Sequence, residues 1–302
     1  MVNHEGLVFR RWPLEVSFAR PHDGDRFRRL APRIRFAVKN YVLRWPLRTG
    51  CLLWCIDNLS PDNWYHWLTE VLPRIHLARH LFSRIDCISF PAYYRRQSFV
   101  EETLMMWPDL PPILWIGNRR RVVADRLVLI ERAAPPWDYR GSVMKDLVDH
   151  LLCQVDDGAS NTPAPRRIYV SRADAARRRV ANEHEVRGFL EQKGFLSIEA
   201  SRFLVREQIK LFRSASAVIG AHGAGLANMV FCKPGAVVRE FATCDPHQHW
   251  RCYHSLAHAM GHRYGVVLSD STARPDAGFD TRRDADLIVN IDHLASAVDG
   301  LS

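Results

Sequence analysis

The 302-residue sequence lacks the short motifs that would assign it directly to several common enzyme classes. It contains no His-Glu-x-x-His, no Gly-x-Ser-x-Gly and no Walker loop, so zinc proteases, serine hydrolases and P-loop nucleotidases have no support. The seven cysteines include no Cys-x-x-Cys pair, and their odd number favours reduced thiols. No apolar run reaches the length of a membrane span and the first residues form no apolar signal core. We therefore expect a cytoplasmic protein.

Acidic residues are fewer than basic ones, and arginine supplies nearly all of the positive charge. Lysine and arginine total 42 against 33 aspartates and glutamates, a net charge of +9. Guanidinium groups match phosphate geometry, which favours nucleotides, phospholipid headgroups or nucleic acid as partners. A nucleic-acid binder is an alternative, but no interleaved aromatic–basic strand or recognition-helix motif supports it. Basic segments at residues 10–12 and 26–35 leave peripheral contact with the inner membrane face open.

The order of apolar and polar segments predicts an α/β fold with parallel sheets. A polar, Gly-, Pro- and Ser-rich linker at residues 156–165 separates a predicted N-terminal domain (1–155) from a predicted C-terminal domain (166–302). In the first domain, Ser60-Pro61 predicts the start of a helix with an apolar stripe. In the second, Asn182 and Glu185 predict a capping box for a helix that Gly194 ends.

Residues 216–228 predict a buried strand, a glycine-rich turn and a helix. Gly220, Gly223 and Gly225 would allow a tight turn and close approach of a ligand, and His222 lies inside that turn. The start of a helix presents free N–H groups that suit a phosphate. A plain strand-to-helix connection is the alternative. The spacing is not the dinucleotide fingerprint, so an NAD site is not indicated.

A polar stripe is predicted on the helix after Pro61. At 100° per residue, Asn63, His66, Glu70 and Arg74 fall within about 80° of one another. One interpretation is a histidine that Glu70 holds and that acts as general base on a hydroxyl. The other is an ordinary pair on a helix surface, which contributes only about 0.2–0.5 kcal/mol.

Three further groups of residues are candidates for chemistry. Arg172 directly follows a predicted strand (167–170), where it could meet a diphosphate, whereas Arg177 is better explained as part of a solvated charge run. Glu240 lies near the end of the predicted strand 236–241, where it could accept from ribose hydroxyls or form an ion pair. His254, His258 and His262 recur every four residues on one predicted helix face. That spacing carries the third ring too far along the helix for one ion, so we predict no metal site.

Three segments together resemble glycosyltransferase family 61, which includes bacterial capsular-polysaccharide enzymes and eukaryotic O-linked sugar and plant xylan transferases. Residues 63–75 (NWYHWLTEVLPRI) resemble its N-terminal motif. Residues 167–172 (RIYVSR), Arg178-Arg179, Asn182-Glu183 and Glu185 resemble its central motif. Gln208 and residues 220–228 (GAHGAGLAN) resemble its third motif. The order and spacing agree across the region from residue 50 to residue 245.

The resemblance implies a GT-B-like architecture, in which two Rossmann-like domains with parallel sheets face a cleft. It implies inverting, metal-independent transfer of a hexose or pentose from a nucleotide sugar, expected to be a UDP-sugar, with no other cofactor. The acceptor would be a hydroxyl of a glycan or lipid-linked saccharide, as in capsule or other surface polysaccharide synthesis. His66 is the expected base, with Glu70 as its rival. The expected donor-binding residues are Arg172, Arg178, Asn182, Glu183, Gln208, His222, Gly223, Ala224, Gly225, Asn228 and Glu240. A catalytically silent scaffold of the same family is the alternative.

Overall fold

A computed structural model describes residues 7–9, 14–16, 46–56, 63–117, 121–132, 134, 137–155, 166–244, 251–274, 276–299 and 301. Contacts divide the chain into two compact units, of which the first comprises Met1–Asp62 and Arg74–Glu131 and the second Asn63–Pro73 and Arg132–Ser302. The predicted linker at 156–165 lies outside the described residues. Residues 63–73 and 132–155, which the sequence assigned to the N-terminal domain, belong by their contacts to the second unit, because their buried side chains pack there.

The strands, in chain order, are β1 (Leu7–Phe9), β2 (Leu14–Val16), β3 (Pro46–Trp54), β4 (Cys87–Pro91), β5 (Ile113–Ile116), β6 (Arg121–Leu129), β7 (Arg167–Val170), β8 (Leu196–Ile198), β9 (Ala217–Ala221), β10 (Val237–Ala242), β11 (Arg263–Ser271) and β12 (Leu287–Val289). The α-helices are α1 (Trp64–His66), α2 (Leu72–Leu81), α3 (Ser98–Leu104), α4 (Gly141–Cys153), α5 (Glu183–Gln192), α6 (Val205–Ser214), α7 (Arg251–Met260), α8 (Phe279–Asp284) and α9 (Ile291–Asp299). A π-helical turn occupies Trp67–Val71, and 3₁₀ helices occupy Ala92–Arg96, Ala200–Arg202 and Ala224–Phe231.

The first unit contains a mixed sheet of order β1-β6-β3-β4-β5, with β2 also paired to β6. Strands β6, β3, β4 and β5 run parallel, whereas β1 and β2 run antiparallel to β6. Every residue of β4 is buried, as expected for a strand inside a parallel sheet. One face packs around a small apolar cluster that includes Leu52, Ile116 and Leu127.

The second unit contains a sheet of order β12-β11-β10-β9-β7-β8. All neighbouring strands are parallel except β12, which pairs antiparallel with β11 at the edge. Helix α6 contacts the 3₁₀ helix Ala224–Phe231 and has a helical stripe of buried residues, Val205, Gln208, Ile209 and Phe212. The α/β class with parallel sheets is thus confirmed. In the described part of the chain, no helix is long and apolar enough to span a membrane.

Candidate functional site

The candidate site lies in the second unit, where the parallel strands β7, β9 and β10 approach their carboxyl ends. In the sheet register, Val170, Gly220 and Glu240 form one row across these three strands. His222 and Arg172 each follow a member of this row by two residues, which predicts that they project from the same face. Open α/β sheets bind their ligands at the carboxyl ends of their strands.

His222 and Glu240 form a hydrogen-bonded pair near the carboxyl ends of these strands. Nδ1 of His222 lies 2.5 Å from Oε1 of Glu240, and the hydroxyl of Tyr264 donates to Oε2. Glu240 is fully buried, while 14% of the His222 side chain is exposed. Burial, and then the charge of Glu240, raise the pKa of Tyr264 well above its ordinary value, so its hydroxyl stays a donor. Glu240 therefore fixes the ring of His222 and leaves Nε2 for a ligand. Contact of Glu240 with a ribose stays a prediction.

Arg172 lies against Gly223, the residue that follows His222. A Cβ on Gly223 would stand 1.6 Å from Nη1 of Arg172, so only glycine leaves space for this guanidinium. Nε of Arg172 donates to the carbonyl of Arg178 and Nη2 to the carbonyl of Arg177, both at 3.0 Å. Arg178 has a left-handed backbone, with φ of 55°, in the turn that supplies these acceptors. The third motif and the central motif thus meet at Gly223.

The cations at this position are not neutralised by the protein. Burial, followed by the charge of Arg178, lowers the pKa of Arg172, and burial also lowers the pKa of Arg178. Nε of Arg178 is buried and has no hydrogen-bond partner. Among the described residues, no carboxylate lies within ion-pair distance of Arg172 or Arg178. The neighbouring Arg177 and Arg179 are exposed, and they pair with Asp284 at 2.8 Å and with Asp286 at 3.1 Å.

Aromatic rings connect His222 to His66 within the second unit. Tyr253 is buried, and its hydroxyl donates to the carbonyl of Gly223 at 2.6 Å. The ring centroid of Tyr253 lies 4.9 Å from that of His222 and 5.4 Å from that of Tyr65. The ring of Tyr65 lies 5.0 Å from that of His66. The two predicted histidines therefore belong to one cluster.

His66 forms a second histidine–glutamate pair. Nδ1 of His66 lies 3.1 Å from Oε1 of Glu70, and the two side chains are 14% and 8% exposed. The contact has ion-pair distance but is not aligned as a hydrogen bond, because Nδ1 has no hydrogen-bond partner. Nη2 of Arg132 donates to the other oxygen of Glu70 at 3.2 Å. Glu70 is thus held between two basic side chains, which favours His66 over Glu70 as the group that meets a substrate.

The predicted stripe of four polar residues is confirmed for His66 and Glu70, which contact each other. It is wrong for Arg74, because a π-helical turn at Trp67–Val71 interrupts the α-helical spacing. Such a turn inserts one residue into the α-helical repeat and is common at functional sites. Arg74, beyond the turn, donates to the carbonyl of Cys55 at 3.0 Å, and both belong to the first unit. Asn63 is the N-cap and accepts from the backbone N–H of Tyr65 at 2.9 Å. The predicted helix start at Ser60-Pro61 lies outside the described residues.

Gln208 and Asn228 bond to each other rather than presenting their side chains for a ligand. Nε1 of Trp64 donates to Oδ1 of Asn228 at 2.9 Å, and Nδ2 of Asn228 donates to Oε1 of Gln208 at 2.7 Å. Nε2 of Gln208 ends the series on the carbonyl of Phe203, at 2.9 Å. This buried series joins the first and third motifs. Donor binding by Gln208 and Asn228 stays a prediction.

Replacement of Asn228 by alanine should destabilise the fold strongly. Because Asn228 is fully buried, the change removes its hydrogen bonds to Nε1 of Trp64 and Oε1 of Gln208, at a cost of about 1–3 kcal/mol for each buried polar group. Urea unfolding measures the loss. Gln192→Ala, at an exposed position, is the control and should change the free energy of unfolding by less than about 0.5 kcal/mol. Equal midpoints of urea unfolding for the two variants would contradict the structural role of Asn228.

Asn182 and Glu183 also make protein contacts. The side chain of Asn182 accepts from the N–H of Val289 and donates to its carbonyl, both at 2.9 Å. Asn182 is the N-cap of α5 but its side chain makes no capping hydrogen bond, so the predicted capping box is wrong; the amide pairs with β12 instead. Glu183 accepts from Tyr169 at 2.6 Å and from Ser171 at 2.5 Å. It thereby anchors the strand end that precedes Arg172.

The other glycines of the third motif serve close packing. A Cβ on Gly220 would lie 3.0 Å from the carbonyl oxygen of Val170, and one on Gly225 would lie 3.0 Å from Cγ1 of Val170. The helix predicted after the glycine-rich turn is confirmed: it is a 3₁₀ helix from Ala224 to Phe231. The residues from Leu226 to Phe231 are all buried, and the tighter helix accommodates that packing.

The predicted histidine row does not lie on one helix face. Helix α7 ends at Met260, and Gly261 reverses the chain with φ of 78°. His262 is buried, and its Nε2 lies 2.9 Å from the carbonyl oxygen of Met229. His254 and His258 are exposed. The three rings therefore do not converge.

Several residues of the site were missed by sequence reasoning. Three hydrogen-bond donors lie outside the three motifs. They are Tyr253, Tyr264 and Arg132, which donate to Gly223, Glu240 and Glu70 respectively. The only general signal is that a tyrosine inside a predicted buried element needs a partner for its hydroxyl. Tyr65 stood within the first motif, but nothing in the sequence indicated its contact with Tyr253.

Comparison with known proteins agrees with the motifs. The family model described as Glycosyltransferase 61 matches residues 64–239, a range that includes His66, Glu70, Arg172 and the turn at Gly223. No curated protein matches the chain significantly. The family match spans more than half of the 302 residues. The chain therefore belongs to the glycosyltransferase 61 family, as its three motifs predicted.

Proposed function

We propose that this protein is an inverting glycosyltransferase that moves a sugar from a nucleotide-sugar donor to an acceptor hydroxyl. The observation that carries the proposal is the pair of half-buried guanidinium groups of Arg172 and Arg178, for which the described residues provide no carboxylate partner. The first of them lies against Gly223. Burying a cation without a counterion is unfavourable, so a bound anion would stabilise this arrangement. A nucleoside diphosphate has the charge and geometry that arginine forks match.

The diphosphate is the leaving group of the proposed reaction. As the bond between the anomeric carbon and the phosphate oxygen breaks, its electron pair stays on the diphosphate. Arg172 and Arg178, with Nε2 of His222 and the backbone N–H groups at Ala224 and Gly225, would stabilise the charge that develops there. Donors that are already oriented cost no reorganisation during the reaction.

The acceptor hydroxyl is activated by His66 in this proposal. The imidazole takes the hydroxyl proton, and the acceptor oxygen bonds to the anomeric carbon on the face opposite the leaving diphosphate, which inverts the configuration. Glu70 stabilises the resulting imidazolium and is itself fixed by Arg132. Apo contacts of this kind often tighten only when substrate is bound, which is compatible with the unaligned contact between His66 and Glu70.

We propose that the reaction needs no metal ion. Divalent cations are held by oxygen ligands, above all carboxylates. Both oxygens of Glu183 and Glu240 accept hydrogen bonds from the protein, and Glu70 lies between the basic side chains of His66 and Arg132. The guanidinium groups supply the positive charge instead. Chelator resistance of the activity tests this point.

The finer features of the proposal follow the family. We propose a UDP-sugar as donor, a hexosyl or pentosyl group as the unit transferred, and a glycan or lipid-linked saccharide as acceptor in capsule or other surface polysaccharide synthesis. The parallel sheet in each unit supports assignment of both to Rossmann-like domains of a GT-B architecture. The basic segments 10–12 and 26–35, proposed for peripheral membrane contact in the cytoplasm, lie outside the described residues.

A donor screen tests the function. Thermal unfolding is followed with UDP-, GDP-, CMP- and dTDP-sugars, each with and without chelator, because a ligand that binds the native state raises the midpoint. One nucleotide series should stabilise the protein regardless of chelator, and that donor should then be consumed when acceptors are added. Stabilisation without turnover across an acceptor panel would favour the silent scaffold, and no stabilisation by any donor would contradict the proposal.

Arg172→Ala should weaken the affinity for the nucleoside diphosphate about 10- to 100-fold, because hydrogen bonds to charged groups contribute about 1.5–3 kcal/mol. Titration calorimetry with the diphosphate identified in the screen measures the change. Arg177→Ala removes the same charge from an exposed residue that pairs with Asp284, and it should have little effect. Equal affinities of the two variants would remove Arg172 from the donor site.

A further inference from the structure

A cavity of about 380 Å³ lies at the amino ends of the strands in the second unit's sheet, whereas the site described above lies at their carboxyl ends. Its wall includes the first residues of four parallel strands, Arg167 of β7, Ala217 of β9, Val237 of β10 and Arg263 of β11. The candidate donor site lies near the carboxyl ends of the same sheet. The cavity is therefore a separate feature.

The charged side chains that line the cavity are all positive. Three separate segments of the chain contribute the basic residues Arg166, Arg167, Lys233 and Arg263 to the wall, and none of the described residues in the wall is acidic. A concave surface lined by charges of one sign focuses the electrostatic potential and concentrates counterions. The net charge of +9 alone does not produce such convergence.

Several exposed arginines of this unit outside the cavity have carboxylate partners. Arg187 pairs with Glu191 and Arg202 pairs with Glu199. Within the described ranges, no ion pair involves Arg166, Lys233 or Arg263. Burial, and then the charge of Arg263, lower the pKa of Arg239 on the neighbouring strand, so positive charge accumulates here.

One of these cations is fixed in place. The guanidinium of Arg167 donates from Nη1 to the carbonyl of Lys193 at 3.0 Å and from Nη2 to the carbonyl of Leu301 at 2.7 Å. Its side chain also lies over the ring of Phe195. The hydroxyl of Ser216, which also lines the cavity, already donates to the carbonyl of Arg166 at 2.9 Å. Recognition of a ligand in this cavity therefore depends on the positive charge of its arginine and lysine side chains.

We propose that this cavity is a second anion site, which binds a phosphate ester independently of the donor. The chemistry is shared by the headgroup of an anionic phospholipid and by a soluble phosphate ester. A phosphate group bridged by Lys233, Arg263 and the Arg166-Arg167 pair would relieve the repulsion among these residues.

The test reverses two charges of the cavity and two elsewhere. The double variant Lys233→Glu/Arg263→Glu changes exposed cavity residues, and the control Arg206→Glu/Lys210→Glu makes the same change in charge on helix α6, at exposed residues outside the cavity wall. Binding is measured by co-sedimentation with phosphatidylcholine vesicles that contain one part in four of phosphatidylglycerol, and by calorimetry with glycerol 3-phosphate. Pure phosphatidylcholine vesicles and donor binding are measured in parallel.

We expect the cavity variant to bind the probe at least about tenfold more weakly than the control, since each basic group near an anionic surface contributes severalfold to binding. Loss confined to the anionic vesicles assigns the site to a lipid headgroup, and loss with glycerol 3-phosphate assigns it to a soluble ester. Donor affinity should be the same in both variants, so failure of the donor proposal would be seen separately. Equal binding by the cavity and control variants, or no binding of either probe by the unaltered protein, overturns the inference.

Discussion

His66→Ala is expected to reduce the rate of sugar transfer by about 10²–10⁴-fold, the usual contribution of a positioned general base, with the affinity for the nucleoside diphosphate unchanged. The reason is that His66 is proposed to contact only the acceptor hydroxyl, while the cations beside Gly223 hold the diphosphate. Initial rates at saturating donor and titration calorimetry separate the two effects.

The matched control is His258→Ala, which removes an exposed imidazole from helix α7 and should leave both quantities unchanged. Glu70→Gln provides a second comparison, because it keeps the volume of the side chain but removes the charge that would stabilise the imidazolium. It should lower the rate less than His66→Ala does. If His66→Ala instead abolished diphosphate binding, the imidazole would belong to the donor pocket and the assignment of the base would be wrong.

Gly223→Ala is expected to weaken diphosphate binding about 10- to 100-fold, which is as much as Arg172→Ala should weaken it. A single methyl group has this effect because the space it needs is occupied by Nη1 of Arg172. The guanidinium must leave its two carbonyl acceptors, and overpacking of this kind costs about 1–3 kcal/mol of stability. Calorimetry and urea unfolding measure the two quantities on the same protein.

Two comparisons make this prediction specific. Gly188→Ala introduces the same methyl group in helix α5, where nothing lies within 4 Å, and alanine there should stabilise the helix by up to about 1 kcal/mol. In the double variant Gly223→Ala/Arg172→Ala, the second change should add little to the loss of affinity, because both act through one guanidinium. Additive losses would show that Gly223 acts on the donor by another route.

The sequence predicted the framework of the second unit well because its strands are short apolar runs between turn residues. The strand at Arg167–Val170 has the predicted bounds, and the strand predicted at 236–241 is found at Val237–Ala242. Gly194, with φ of 77°, follows the end of α5 as predicted. These features depend on local patterns. The long-range order of strands within the sheet has no local signal and could be inferred only as an α/β class.

Sequence reasoning failed where tertiary contacts override local preference. Nothing in the sequence between Trp67 and Val71 indicates a π-helical turn, so α-helical spacing misjudged where Arg74 lies relative to the residues before that turn. The helix after Gly223 was predicted correctly, but its 3₁₀ form had no signal in the sequence. Glu240 was identified correctly as a carboxylate near a strand end, but its partners, His222 and Tyr264, come from neighbouring strands.

The left-handed backbone at Arg178 has a consequence for heat tolerance. A residue other than glycine or asparagine destabilises the fold by about 1–2 kcal/mol in this conformation. The Arg178 side chain also places a guanidinium in a half-buried position close to other positive charges. Asparagine or glycine would fit the same turn at lower cost but would remove the cation. Selection of variants for resistance to heating alone would therefore tend to replace this arginine first, and the hardier proteins would hold their donor more weakly.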